Sequence, residues 1–294
     1  MPRSAAILAD VADKVMGSGV AADNTQLDRF VVRPSGPLQG TVRAGGAKNS
    51  ALKLMAACLL CEGRHVLSGV PEITDVSIMA EMLSAIGVKV ERVAGSGDPV
   101  GDLVIDTPSE LVPEAPYDLV EKMRASIVVL GPLLARAGRA RVSMPGGDDF
   151  GARPIDFHLN SFRRMGAEFT TSHGYVEGSV PAERLVGELI VLEYPSHTAT
   201  DNVLMASVLA KGTTVIENAA REPEVADLAV FLRAMGARII GAGTSRIVVE
   251  GVDELAVTTL GGRESLAQAL RPSWAMSVPS PALASASSFW RALR

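Results

Sequence analysis

Four short stretches of this 294-residue chain carry residue types that could hold an anion or move a proton. In Ala44-Gly45-Gly46-Ala47-Lys48-Asn49, two glycines let the backbone approach a ligand closely, Lys48 supplies a charge, and Asn49 can cap a following helix. The spacing is not GxxxxGK[ST], so a nucleoside triphosphate is not implied, and a tight turn with a solvated lysine is the plain alternative. In the stretch Tyr117 to Arg124, Asp118 and Glu121 have capping-box spacing, and Arg124 falls near the second turn beside the apolar run from Ile127. An arginine there must be paired, either with a structural carboxylate or with an anionic ligand. The third stretch runs from Pro145 to Asp156 and holds Gly146, Gly147, Asp148, Asp149, Gly151, Arg153 and Pro154. It sets a proton donor next to an anion clamp on a glycine-rich loop, with Pro154 suited to the first turn of the next helix. A polar surface loop fits the same residues. In the fourth, Ser196-His197-Thr198-Ala199-Thr200-Asp201, Thr198 and Asp201 have capping spacing and His197 reads as a binding-edge residue rather than a metal ligand.

All four fall at expected helix starts, where unpaired amides and the helix dipole favour anions. The elements that place them form an internal repeat. Asn49 to Val90 aligns without gaps onto Thr198 to Ile239, matching Gly63 with Gly212, Leu83 with Leu232 and Gly87 with Gly236. A looser third copy lies between, with Gly138 and Gly166 as its paired glycines. Each copy reads as a buried helix, a strand, a turn, an amphipathic helix and a closing strand. Residues 50–61 carry only one basic residue, Lys53, which makes that helix central. Val76, Met79, Leu83 and Ile86 recur at helical spacing beside Glu81 and Ser84, and the alternating VKVERV then reads as a strand. Three such units make one α/β (α+β) domain over residues 48–255, with helices inside and sheets outside.

Composition narrows the chemistry further. At 47% hydrophobic the chain can bury a large core, and a net charge of −5 gives no footprint for nucleic acid. The longest strongly apolar run, Ile127 to Ala135, is far short of the roughly 18 residues of a membrane span. Asp10, Asp13 and Lys14 interrupt the apolar start and argue against a signal peptide. A cytoplasmic protein without membrane or nucleic-acid partners is expected. Cys58 and Cys61 are too few for a disulfide framework. With His65 they make C-x2-C-x3-H, but no second ligand pair follows, so no metal site is expected.

The blocks GGAKNSALKLMAA, PYDLVEKMRASIVVLGPLLAR, PGGDDFGARPIDFH and TTVIENAAREPEVADLAVFLRAMGA resemble, in order, the signature blocks of the UDP-N-acetylglucosamine enolpyruvyl transferases. The likeness runs from about Leu27 to Leu255. It implies the inside-out enolpyruvyl transferase fold of three helix-strand units with a second domain. It also implies transfer of the enolpyruvyl group from phosphoenolpyruvate to the 3-hydroxyl of UDP-N-acetylglucosamine in peptidoglycan synthesis, with no metal or organic cofactor. By this resemblance Lys48 and Asn49 bind phosphoenolpyruvate, Lys48 also serving catalysis, Arg124 contacts an anionic group, and Asp148 is the general acid. Arg153, Pro154, Ile155, Asp156 and Phe157, with Tyr194, Pro195, Ser196 and His197, line the uridine nucleotide.

Two departures bear on activity. Most of the family has cysteine where this chain has Asp148, and a carboxylic acid of pKa about 3.9 is protonated roughly one time in a thousand at pH 7. Donation from Asp148 therefore needs desolvation and the like charge of Asp149 to raise its pKa, against the pull of Arg153. The resemblance also implies that residues 27–47 open a second domain whose returning part is not found, leaving it incomplete. Residues 256–294 read instead as an aberrant tail rich in Ala, Ser and Pro, and residues 1–26 as an extension. Three readings follow: an active transferase, a truncated relative that at most binds the sugar nucleotide, and a nucleic-acid-processing relative of similar architecture, which the acidic charge opposes. The residues set no oligomeric state.

Overall fold

In a computed structural model of the chain, residues 46–94, 101–143 and 155–257 are described. The repeat governs what they form. The first unit runs α1 (Lys48–Ala57), β1 (Gly63–Ser68), α2 (Thr74–Ala85), β2 (Lys89–Val93) and β3 (Asp102–Thr107). The second holds β4 (Glu114–Ala115), α3 (Tyr117–Lys122), a 3-10 segment at Arg124–Val129, α4 (Leu130–Ala137), β5 (Arg139–Ser143), α5 (Asp156–Arg164), β6 (Glu168–Ser172) and β7 (Tyr175–Ser179). The third holds β8 (Leu189–Val191), α6 (His197–Ser207), β9 (Thr213–Glu217), α7 (Pro223–Ala234), β10 (Arg238–Ile240) and β11 (Arg246–Glu250). Helix α2 starts and stops at the positions aligned with the start and stop of α7. Gly87 and Gly236, matched in that alignment, take φ of +99° and +105° after their helices, a conformation that a side chain would strain.

Helices lie inside and sheets outside, as the apolar pattern requires. Residues 50–57 of α1 and 199–207 of α6 are buried. Strands such as β5 and β11 alternate, turning Val142, Ile247 and Val249 inward. Helix α2 buries Val76, Met79, Met82 and Leu83 and leaves Glu81 and Ser84 exposed, an ordinary amphipathic division.

The expected closing strand of each unit is joined by a further one that changes the pairing. The sheets run β1-β3-β2, β4-β5-β7-β6 and β10-β11-β9-β8. In each, the last strand of the unit inserts between the two earlier ones and pairs antiparallel with both. Strands β1 and β2 are therefore parallel to each other without touching. The short strands β4 and β8 add on in parallel to β5 and β9.

Candidate functional site

Helix α1 begins at Lys48, two residues earlier than a cap at Asn49 would allow. Ala47 is the N-cap, extended at φ −75° and ψ 124°, and its carbonyl receives the first helical bond from the Ala51 amide at 3.0 Å. Asn49 thus lies inside the first turn with an exposed side chain. The glycine before it also has a plainer use, since a Cβ on Gly46 would collide with the carbonyl of Gly69. The Lys48 ammonium stands at the open end of the helix, 2.7 Å from Asp75 on the first turn of α2. Both side chains are substantially exposed, so the pair is weak and open to competition by a ligand anion.

Helix α6 opens the same way in the third unit. Its cap is Ser196 rather than Thr198: the Ser196 hydroxyl accepts from the Ala199 amide at 3.3 Å. Asp201, expected to close a capping box, instead turns into the core and is fully buried. His197 is partly exposed at the helix start, and Tyr194 and Pro195 are exposed just before it. A second hydroxyl, that of Thr200, donates to the Ser196 carbonyl at 2.8 Å and accepts from the Ala220 amide at 3.0 Å, tying this helix start to the loop before α7.

The other candidates divide. Helix α5 begins at Asp156 with Ile155 as N-cap. Ile155 is buried, Phe157 packs against the core, and Asp156 is exposed. Asp118 lies in the first turn of α3 after an N-cap at Pro116, which has no capping side chain, so the capping box does not form. That helix ends at Lys122 because Met123 is extended and buried. Arg124 consequently opens the 3-10 segment instead of extending α3. Asp148, Arg153 and Pro154 lie outside the described residues, as do most of residues 1–47 and of the tail from 256.

One buried side chain joins the elements that carry these residues. Asn202 on α6 donates through Nδ2 to the Ile127 carbonyl at 2.8 Å and accepts at Oδ1 from the Gly131 amide at 2.7 Å. The same Nδ2 lies 3.0 Å from His158 Nδ1 on α5, which requires that ring nitrogen to be the unprotonated acceptor. Helices α6 and α5 and the segment following Arg124 are thereby locked together.

Two further contacts sit beneath the helix starts. Lys53 on α1 pairs with Asp201 at 2.7 Å, both nearly inaccessible to solvent. Ser50 donates to Asp227 on α7 at 2.7 Å. Burial pushes the Asp227 carboxyl up to about 6, the Ser50 hydrogen bond opposing it and neighbouring Glu224 adding to it. A carboxyl raised in the folded state binds its proton more tightly there than in the unfolded chain, so stability falls as pH rises from the ordinary carboxylate range through about 6. Asp227→Asn, which can still accept from Ser50, is expected to leave stability nearly unchanged at pH 4. Above pH 7 it should raise it by about 1–2 kcal/mol, a figure already discounted for solvent access. Denaturant midpoints across pH check this, and a pH-independent difference would contradict it.

The two thiols and His65 Nε2 turn to backbone carbonyls. Cys58 Sγ donates to the Leu54 carbonyl at 3.2 Å, Cys61 Sγ to the Leu255 carbonyl at 3.0 Å, and His65 Nε2 lies 3.2 Å from the Cys61 carbonyl. Burial pushes both thiols up, which keeps them protonated and poorly reactive.

Known proteins resemble this chain in sequence and in fold. The family model for EPSP synthase (3-phosphoshikimate 1-carboxyvinyltransferase) matches residues 32–261. UDP-N-acetylglucosamine 1-carboxyvinyltransferase 2 of Carboxydothermus hydrogenoformans is 49% identical over 229 residues, covering 78% of this chain and 53% of that protein. UDP-N-acetylglucosamine 1-carboxyvinyltransferase 1 of Caldanaerobacter subterraneus is 51% identical over 227 residues, covering 77% and 52%. Among solved structures, the enolpyruvyl transferase NikO from Streptomyces tendae superposes with a TM-score of 0.62 at 25% identity, covering 75% of this chain and 50% of that one. EPSP synthase from Acinetobacter baumannii, at 22% identity and a TM-score of 0.57, shares the fold. The chain spans about half the length of the curated relatives it matches. With a family match over most of its residues and close to half of the aligned positions identical to these relatives, the chain belongs to the UDP-N-acetylglucosamine 1-carboxyvinyltransferase family of enolpyruvyl transferases.

Proposed function

We propose that this chain serves the transfer of the enolpyruvyl group from phosphoenolpyruvate to the 3-hydroxyl of UDP-N-acetylglucosamine, releasing phosphate, in cytoplasmic peptidoglycan precursor synthesis. The observation that carries the reading is Lys48 at the open start of α1, paired among the described residues with the part-exposed Asp75 carboxylate, while α6, crosslinked to α1 through Lys53, opens with Ser196 and His197. Such an ammonium can exchange Asp75 for the phosphate or carboxylate of phosphoenolpyruvate. Asn49 and Arg124 would share that anion. Arg153 to Phe157 and Tyr194 to His197 would take the nucleotide.

The chemistry follows from the substrates. The sugar 3-hydroxyl oxygen bonds to C2 of the enolpyruvyl group and gives up its proton to water, while C3 gains a proton, which Asp148 would donate. The tetrahedral adduct then loses phosphate and a C3 proton. Lys48 stabilises negative charge throughout, which makes it both a binding and a catalytic residue in this reading.

Calorimetry with UDP-N-acetylglucosamine tests the binding half. The unaltered chain is expected to bind, and Arg153→Ala to bind at least about tenfold more weakly, because a bidentate anion contact is worth upward of 1.4 kcal/mol. Equal affinity in both proteins, or none in the unaltered chain, would sink the reading.

A further inference from the structure

Lys53 and Asp201 form an ion pair where ion pairs are costly. Their side chains are 5% and 0% exposed, whereas pairs such as Arg238–Glu250 stand in solvent. Removing two charges from water costs several kcal/mol per ion, and apolar side chains of similar volume often serve stability as well or better. Stability alone therefore does not account for the pair. Its location suggests what does. Lys53 lies roughly 7.5 Å along α1 from Lys48, and Asp201 lies one turn into α6 from His197. The pair crosslinks the two buried helices just beneath their open ends.

His197 is the third member. Its Nδ1 lies 3.5 Å from the Lys53 ammonium and 4.0 Å from Asp201 Oδ2. An ammonium has donors and no acceptor, so the Nδ1 facing it must be the unprotonated nitrogen. The proton of the neutral ring is then on Nε2, where it can be donated to a phosphate or uracil oxygen.

We propose that the Lys53–Asp201 pair is a positioning device: it sets the register of α1 against α6 and holds His197 in the Nε2–H tautomer as a hydrogen-bond donor to the nucleotide. The nucleotide itself rests on the function proposed above, but the tautomer does not.

The test uses the 294-residue chain, Lys53→Met/Asp201→Leu, His197→Ala and the triple variant. Ring-nitrogen NMR at alkaline pH, with His197 assigned by its substitution among the four histidines, is expected to show the Nε2–H tautomer in the unaltered chain. The tautomers should mix in the double variant. Thermal melting should show the double variant no less stable than the unaltered chain. Its affinity for UDP-N-acetylglucosamine should nevertheless fall about tenfold, as should that of His197→Ala, and the triple variant should lose no more than either. An Nδ1–H tautomer in the unaltered chain overturns the proposal. So does a folded double variant with full affinity, or a triple variant whose losses add. Should the double variant not fold, a His197→Ala protein with undiminished affinity still overturns it. Failure of the unaltered chain to bind UDP-N-acetylglucosamine would defeat the functional reading, while the NMR result continues to decide the positioning role.

Discussion

Asn202→Ala is expected to destabilise the chain by roughly 3–5 kcal/mol, a large share of the 5–15 kcal/mol that holds a typical domain folded. The substitution strips its partner from the buried Gly131 amide and removes one of two donors from the Ile127 carbonyl, which keeps the Leu130 amide. The orphaned amide costs about 1–3 kcal/mol, and the weakened carbonyl, the lost contact with His158 and the vacated volume add to this. Relaxation cannot recover much, because α4 and α6 touch backbone to backbone: a Cβ on Gly131 would collide with the Asn202 carbonyl oxygen. Water has no route to replace the amide without parting the helices. Asn202→Asp should also destabilise, since a carboxylate keeps the Gly131 contact but faces the Ile127 carbonyl without a proton to give. Urea denaturation measures both, and a loss below about 1 kcal/mol for Asn202→Ala would mean that the three helices are held by apolar packing alone.

Asn202 also shows where sequence reasoning stops. The gapless repeat makes both buried helices legible, and the matched glycines mark where α2 and α7 end. Which buried polar residue meets which backbone group is decided by contacts across 71 or more positions of chain, and no local pattern carries that. The capping expectations failed for a nearer reason. A side chain of the right type within the first turn, such as Asn49, Asp118 or Thr198, looks like a cap, but the cap is the last extended residue before the helix. That residue proved to be Ala47, Pro116 and Ser196.

The Lys53–Asp201 pair could have been found. Lys53, the one charged residue of the apolar stretch 50–61, demands a partner, and the repeat supplies a second central helix that carries Asp201. The pairing strand inserted in each sheet had a weaker signal. DLVIDT and RIVVE alternate well enough to be strands, yet only tertiary pairing places β3 between β1 and β2. The link between Lys48 and Asp75 had no signal at all, because a carboxylate in the first turn of a helix is commonplace.

The 294-residue polypeptide on its own is expected to bind UDP-N-acetylglucosamine yet release phosphate at least about a thousandfold more slowly than the median enzyme rate of about 10 per second. Lys48 and the start of α6 present charge and hydrogen-bonding groups at two helix starts. Enolpyruvyl transfer needs charge stabilisation in a dry site, where each contact is worth several times its value in water. A carboxyl of ordinary pKa, about 3.9, carries the proton that C3 must receive in only about one molecule in a thousand at pH 7. That bottleneck has a signature. Residual phosphate release should climb about tenfold for each unit of pH lowered from 7 toward 5, tracking the protonated fraction of a carboxyl with pKa about 3.9. Asp148→Cys should flatten this dependence, because a thiol with pKa about 8.5 is already protonated across the range. A rate near 10 per second, or a residual rate indifferent to pH in both proteins, would show that proton donation is not what limits the chain and that a closed site forms from these residues or from a second copy of them.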